Sequence, residues 1–317
     1  MDEIAMDSEQ VENASKNYIA KILGALWLFD GLLQFQPQMF GQNFVVNILV
    51  PNLSSQPHFI EQIVNWGMWL WNTNTVVTNT LAAFLQIAIG ILLLLPRSNT
   101  FFKAGLWVSI VWGIVVWLCG EGAGGLLTGG ATFYTGAPGA VVLYILLAVL
   151  LLIPEKLSST SYPKFAGWIC VGASVLQLQP LLWGSDAVQG TFMVAMMDPV
   201  HVASVLPNTL YGLVALYPFV SNLLLALVLL IVGFLLLRKQ NLMTGLIAFV
   251  FFFFVWWFGQ DFGQLSTFMR GTPTDPNTAP LMMLLLLPLF MRWRRASSTL
   301  PSYVSARTDA SKRISAA

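Results

Sequence analysis

Charge is what this chain of 317 residues has least of: 9% of them are Asp, Glu, Lys or Arg, against 56% hydrophobic. An ordinary soluble domain carries roughly 25% charged residues, so a water-covered surface over most of the chain is excluded. The formal charge of +1 excludes an electrostatic nucleic-acid surface, which needs Lys and Arg clustered along a face. Cysteine and histidine are as scarce, at two each. Cys119 and Cys170 fall at the outer end of one predicted helix and near the inner end of another, beyond the roughly 7 Å Cα separation that a disulfide spans. No metal-type spacing surrounds them. A phosphate-cradling glycine loop with Lys, paired zinc ligands and a nucleophile elbow are also missing, so the chain does not advertise an enzyme. A secretory leader would open with a basic stretch before a short apolar core, whereas residues 1–17 are polar and acidic. They read as a retained cytoplasmic tail.

Long apolar runs are what the chain has instead. A helix needs about 20 mostly apolar residues to cross the hydrocarbon core and manages with about 17 when tilted. Such runs fall near 18–36, 76–95, 103–119, 138–154, 165–182, 219–237, 241–258 and 278–291. The expected fold is therefore all-α: a polytopic membrane protein of eight transmembrane helices. Short cytoplasmic loops hold an excess of Lys and Arg. Here Lys16 and Lys21, Arg97 and Lys103, Lys156 and Lys164, Arg238 and Lys239, and Arg292, Arg294 and Arg295 fall in alternate loops or tails, and the opposite loops hold only Arg270. Both termini are then expected inside the plasma membrane, with loops 37–75, 120–137, 183–218 and 259–277 outside.

The chain also repeats itself. Leu33-Gln34-Phe35-Gln36-Pro37 matches Leu176-Gln177-Leu178-Gln179-Pro180 at a separation of 143, and at the same separation Gly24 pairs with Gly167, Asn79 with Asn222 and Gly90 with Gly233. Trp117-Leu118-Cys119-Gly120-Glu121 matches Trp256-Trp257-Phe258-Gly259-Gln260 at 139, a shift that one short deletion explains. Internal duplication with four spans per half implies two parallel four-helix repeats, 18–154 and 165–291, about an axis near the membrane normal. A basic tail, 292–317, follows.

Gly24-Ala25-Leu26-Trp27-Leu28-Phe29-Asp30-Gly31-Leu32-Leu33, opening a four-helix unit with a long loop after its first span, resembles the DoxX/DoxD-like family of small bacterial and archaeal membrane proteins. Each half carries the likeness, and the second departs in having Ala173 where the first has Asp30. The resemblance implies a four-helix bundle, a place in a quinone-linked membrane redox system, and quinone as the cofactor.

Ionisable groups at membrane depth are costly and mark function by default. Asp30 lies about two-thirds of the way across span one, as an ion, proton or ligand site or else as a carboxylate held by neighbouring hydroxyls. Gln34 and Gln36, and likewise Gln177 and Gln179, are spaced i,i+2, which sets each pair on different helix faces, so one of each pair is expected to face inward. The glycine-rich stretch from Gly120 and Glu121 to Gly130, with its counterpart Gly259 to Thr267, allows close backbone approach and positive φ. It reads as a re-entrant, cavity-lining loop carrying Glu121, Gln260 and Asp261, or as tight turns whose acids cap helices. Asp275-Pro276-Asn277-Thr278 reads as the cap of span eight. His58 and His201, also 143 apart, are secondary ligand candidates with Gln34 and Gln177, and no metal is expected. Trp66, Trp69 and Trp71 point to an interfacial helix within loop 37–75. The expected site gathers Asp30, Glu121, Gln260 and Asp261 between the repeats at the outer side. Three function classes stay open: a component of a quinone-linked redox system, a transporter or channel for a small solute, and a non-catalytic assembly or lipid-binding protein. The partners expected are the lipid bilayer and a further membrane subunit or a second copy of the chain.

Overall fold

A computed structural model describes residues 2–153, 160–267 and 273–298. Among these residues twelve α-helices run in the order α1 (Asp2–Leu33), α2 (His58–Thr73), α3 (Thr75–Leu94), α4 (Thr100–Cys119), α5 (Ala140–Leu152), α6 (Ser161–Gln177), α7 (Ser185–Met196), α8 (His201–Val214), α9 (Pro218–Arg238), α10 (Leu242–Phe258), α11 (Thr278–Leu285) and α12 (Leu287–Ser298). Among the described residues there is no strand. Helices α3, α4 and α9 are each long and apolar enough to cross a membrane, and α5 and α10 are shorter apolar helices. Asparagine starts four of the twelve. The side chains of Asn74, Asn99, Asn241 and Asn277 accept from the backbone N–H of Val77, Phe101, Thr244 and Thr278, at 3.2, 2.9, 2.9 and 2.7 Å, each satisfying one of the donors that a helix start leaves free.

The surface explains the composition. Leu81, Phe84 and Ile91 on α3, Trp107 and Val111 on α4, and Leu224, Leu227 and Ile231 on α9 are all exposed. An apolar belt of that extent is far larger than a water-soluble monomer exposes. Inside, one continuous core joins Leu23 and Trp27 of α1, Leu143 and Leu147 of α5, Cys170 of α6, Leu229 of α9, Phe252 of α10 and Met282 of α11.

Pairs of glycines set the closest helix contacts. A Cβ on Gly90 would stand 2.7 Å from the carbonyl oxygen of Gly24, and one on Gly233 would stand 2.9 Å from that of Gly167. Small residues at such crossings let two backbones touch. The separation of 143 recurs in hydrogen bonds: Asn79 Nδ2 donates to the Gln34 carbonyl and Asn222 Nδ2 to the Gln177 carbonyl, both at 2.8 Å. Trp117 Nε1 donates to the Pro138 carbonyl at 2.9 Å, and Trp256 Nε1 to that of Pro276 at 2.8 Å. Gly122 to Gly125 and Asp261 to Gln264 each make a turn of left-handed backbone with every φ positive. The two runs are again 139 apart.

Some boundaries differ from the sequence reading. Helix α1 begins at Asp2, ahead of the apolar run at 18–36, and within its first half Lys16 is buried against Glu12 at 3.0 Å and Ser15 bonds the Met291 sulfur at 3.4 Å. At roughly 1.5 Å per residue its 32 residues make a rod of about 48 Å, longer than a hydrocarbon core of about 30 Å. The run 278–291 is broken at Leu286 between α11 and α12. Loop 37–75 contains α2, the expected aromatic helix, and loop 183–218 contains the hairpin of α7 and α8. Lys156 and Arg270 lie outside the described residues.

Candidate functional site

The site grows from the last turns of α1 and α4 and the loop that leads into α11. Asp30 is only 4% exposed, and its Oδ2 accepts from the Tyr144 hydroxyl of α5 at 2.6 Å. The Tyr144 ring meets Trp27 edge-on, with centroids 4.7 Å apart, and Trp27 Nε1 donates to Ser109 of α4 at 2.9 Å. The other oxygen, Asp30 Oδ1, is buried with no hydrogen-bond partner among the described residues, as is Gln86 Oε1 on α3. Buried polar atoms are nearly always paired. Both residues line a cavity of about 310 Å³, with Trp66, Trp71 and Leu70 of α2, Phe44 and Ile48 from the π-helical turn before it, and Trp112 of α4.

Glu121 and Asp275 close one end of the cavity. Glu121 follows Gly120, the C-cap of α4, and its Oε1 accepts from the Val141 N–H at the start of α5, 3.2 Å away. Its Oε2 is buried without a partner and sits against Gly139, where φ is +105° and a Cβ would overlap it. Burial, and next the neighbouring Asp275 carboxylate, push the Glu121 carboxyl up to about 8, against the lowering effect of the N–H groups of Val141 and Ala140. Asp275 is raised as well, by burial, against its bonds from the Asn277 N–H at 2.6 Å and the Thr274 hydroxyl at 3.1 Å. Ile48, Glu121 and Asp275 are shared with a second, polar space of about 480 Å³, whose wall includes Asn52, Gln56, Thr128, Thr132 and Asn277. The carboxyls therefore stand between an apolar cavity and a polar vestibule.

Of the four principal candidates, Asp30 and Glu121 line one cavity, and Gln260 and Asp261 do not line it. Gln260 is a structural brace: its Oε1 accepts from the Ala279 N–H at 3.0 Å, and its Nε2 donates to Thr278 Oγ1 at 2.6 Å and to the Phe133 carbonyl at 3.3 Å. Asp261 is buried beside Asp198, and burial together with the hydrogen bond to that second carboxyl raises it to about 8. Gln34 lines the cavity. Gln177 instead crosses between the halves, accepting from Thr132 Oγ1 at 2.5 Å and donating to Asn222 Oδ1 at 2.6 Å. In the first half both glutamines are buried, not one of them. The helix ends at Leu33, and the turn that follows brings Gln36 Nε2 back onto the carbonyls of Leu33 and Pro273, at 2.8 and 2.7 Å. His58 sits exposed at the start of α2, bonded within its own turn to Glu61 at 3.4 Å and Gln62 at 3.1 Å. The side chain of His201 lies outside the described residues.

Sequence reading missed Asp275, which does shape the start of α11, as a cap would, and also lines the cavity of the other half. It also passed over Tyr144, Gln86 and Ser109, for which the comparison of halves held a signal. At separations of 143, 143, 139 and 138, the polar residues Asp30, Gln86, Ser109 and Tyr144 give way to Ala173, Leu229, Ala248 and Met282, all buried. The second half packs an apolar core where the first keeps a polar one. Glu121 and Gln260 make the same bond, Oε1 to the first turn of the next helix, so an amide satisfies the structural requirement and the carboxyl of Glu121 exceeds it. The chain matches no family model, and no curated protein and no solved structure is similar to it.

Proposed function

We propose that the chain is an integral membrane protein of eight spans in two parallel four-helix repeats, with both termini cytoplasmic in the plasma membrane, and that it carries a small amphiphilic solute through the cavity of its first half. The observation that carries the reading is the buried, partnerless Oδ1 of Asp30 in the wall of a cavity of about 310 Å³. Ligand pockets begin at about that volume, and a carboxylate oxygen left without a donor at membrane depth is too costly to be idle. The exposed apolar belt, the matched glycine contacts and the matched Asn79 and Asn222 bonds support the membrane and repeat readings. The adjoining vestibule supports a carrier, since it offers the carboxyls a route to water separate from the apolar one.

One observation favours a second reading, the quinone-linked redox role that the resemblance of residues 24–33 to the DoxX/DoxD-like family implies. The indole N–H groups of Trp71 and Trp112, both in the cavity wall, are buried without acceptors, and a quinone offers two carbonyl oxygens. Native mass spectrometry of the protein purified in lipid nanodiscs tests the shared premise. A retained non-protein molecule is expected in the wild type and not in Leu85→Trp, which fills the cavity from α3. An empty wild type that Leu85→Trp leaves unaltered in stability would refute it.

A further inference from the structure

The wall of the cavity is one-sided in its chemistry. It contains three carboxyl groups, Asp30, Glu121 and Asp275, and among the described residues no Lys, Arg or His. Among the described residues, the titratable groups around Glu121 are acids, a phenol and a thiol: Asp30 from α1, Tyr144 from α5, Asp275 from the loop before α11, and Cys119 of α4, which lines the same cavity. Three acids gathered at low dielectric cannot all ionise without a counter-charge, and no described residue of the wall supplies one. The rest of the wall is aromatic, with Trp27, Trp66, Trp71, Trp112 and Phe44, and the Phe44 and Trp71 rings lie 4.4 Å apart. Indole faces are the best aromatic partners for a cation, and the attraction grows when both are desolvated. Leu81, 65% exposed, and the exposed Leu70 and Trp66 belong to the same wall, so the cavity meets the apolar belt and an occupant reaches it with an apolar body.

Resting on the ligand-cavity reading above, we propose that the occupant is an organic monocation, a protonated or quaternary amine with an apolar body, which enters in exchange for one proton. The proton leaves the Glu121 carboxyl for the vestibule and the cation takes its place, so the charge of the site is unchanged. That Glu121 is held up to about 8 by burial and Asp275 agrees with its carrying the exchanged proton at neutral pH. The second half repeats the Glu121 hydrogen bond with an uncharged Gln260, so the exchange belongs to the first half alone.

The test is calorimetric titration of the full chain in nanodiscs with benzyltrimethylammonium, set against its uncharged carbon isostere neopentylbenzene, at pH 7 in two buffers of different ionisation enthalpy. Expected is saturable binding of the cation at least tenfold tighter than of the isostere, with release of about one proton per cation at pH 7 and none at pH 10. Glu121→Gln abolishes the proton release, and Asp30→Asn weakens the cation at least tenfold. The pH comparison on the wild type needs no variant to fold. Equal binding of cation and isostere, or cation binding without proton release, overturns the inference and leaves the cavity reading standing. Saturable binding of a soluble benzoquinone with no cation binding does the same and supports the redox reading. If nothing binds and Leu85→Trp behaves as the wild type, both readings fall.

Discussion

Replacing Glu121 by Gln isolates the carboxyl from its structural bond, because Gln260 makes that bond in the other half at 3.0 Å. The ordinary value for Glu121 is 4.5 and the folded one about 8, so between those limits the folded state binds the proton and the unfolded state does not. Folded stability is then fully present below pH 4.5 and is lost as pH rises through about 8. Each pH unit of that window corresponds to about 1.4 kcal/mol, which gives a loss on the order of 5 kcal/mol across it, an upper figure because Asp275 relaxes when its neighbour ionises. An amide has no such dependence. Asp261, also at about 8, tilts both proteins alike, so the difference curve reports Glu121 together with its coupling to Asp30 and Asp275. At roughly 2 °C per kcal/mol for a chain of this size, thermal unfolding in detergent followed by tryptophan fluorescence should show Glu121→Gln gaining about 5 to 8 °C on the wild type between pH 5 and pH 9. Parallel curves over that range would mean that Glu121 ionises at its ordinary value, and the buried-carboxyl reasoning would fail.

Tyr144→Phe removes the hydroxyl that donates to Asp30 and should destabilise by about 1–3 kcal/mol, whereas the pair Asp30→Ala, Tyr144→Met, which copies Ala173 and Met282, should cost less than Tyr144→Phe alone in the same thermal assay. Gly90→Ala and Gly233→Ala press a Cβ to within 2.7 and 2.9 Å of facing backbone carbonyls, and each should lower stability by about 1–3 kcal/mol, as overpacking does; one tolerated and one severe would mean that the two crossings are not equivalent. For orientation, in a Cys119→Ser background, Ser54→Cys should react with an impermeant maleimide on intact cells and Ser98→Cys only after lysis; the reverse pattern would invert the topology.

Much of the fold was legible because lipid imposes a one-dimensional rule, that about 20 apolar residues make a span, and because α3, α4 and α9 obey it without interruption. The register of 143 was legible for a related reason: Gly24 with Gly90 and Gly167 with Gly233 are constrained by backbone contact, and such contact tolerates no side chain. Single residues carry that kind of information. The site is different, since no rule in sequence brings Asp275 of one half to Asp30 and Glu121 of the other. That meeting follows from the turn after α1, where Gln36 bonds the Pro273 carbonyl and draws in the loop that holds Asp275. Gln260 and Glu121 look alike in sequence and bond alike, and only tertiary packing decided that one would be satisfied on both sides of its amide while the other kept a bare oxygen. Sequence by itself determined which segments are apolar and which residues recur at a separation of 143, because both are read from composition and order along the chain. Which acids share a cavity depended on long-range approach between helices, which only the tertiary structure sets.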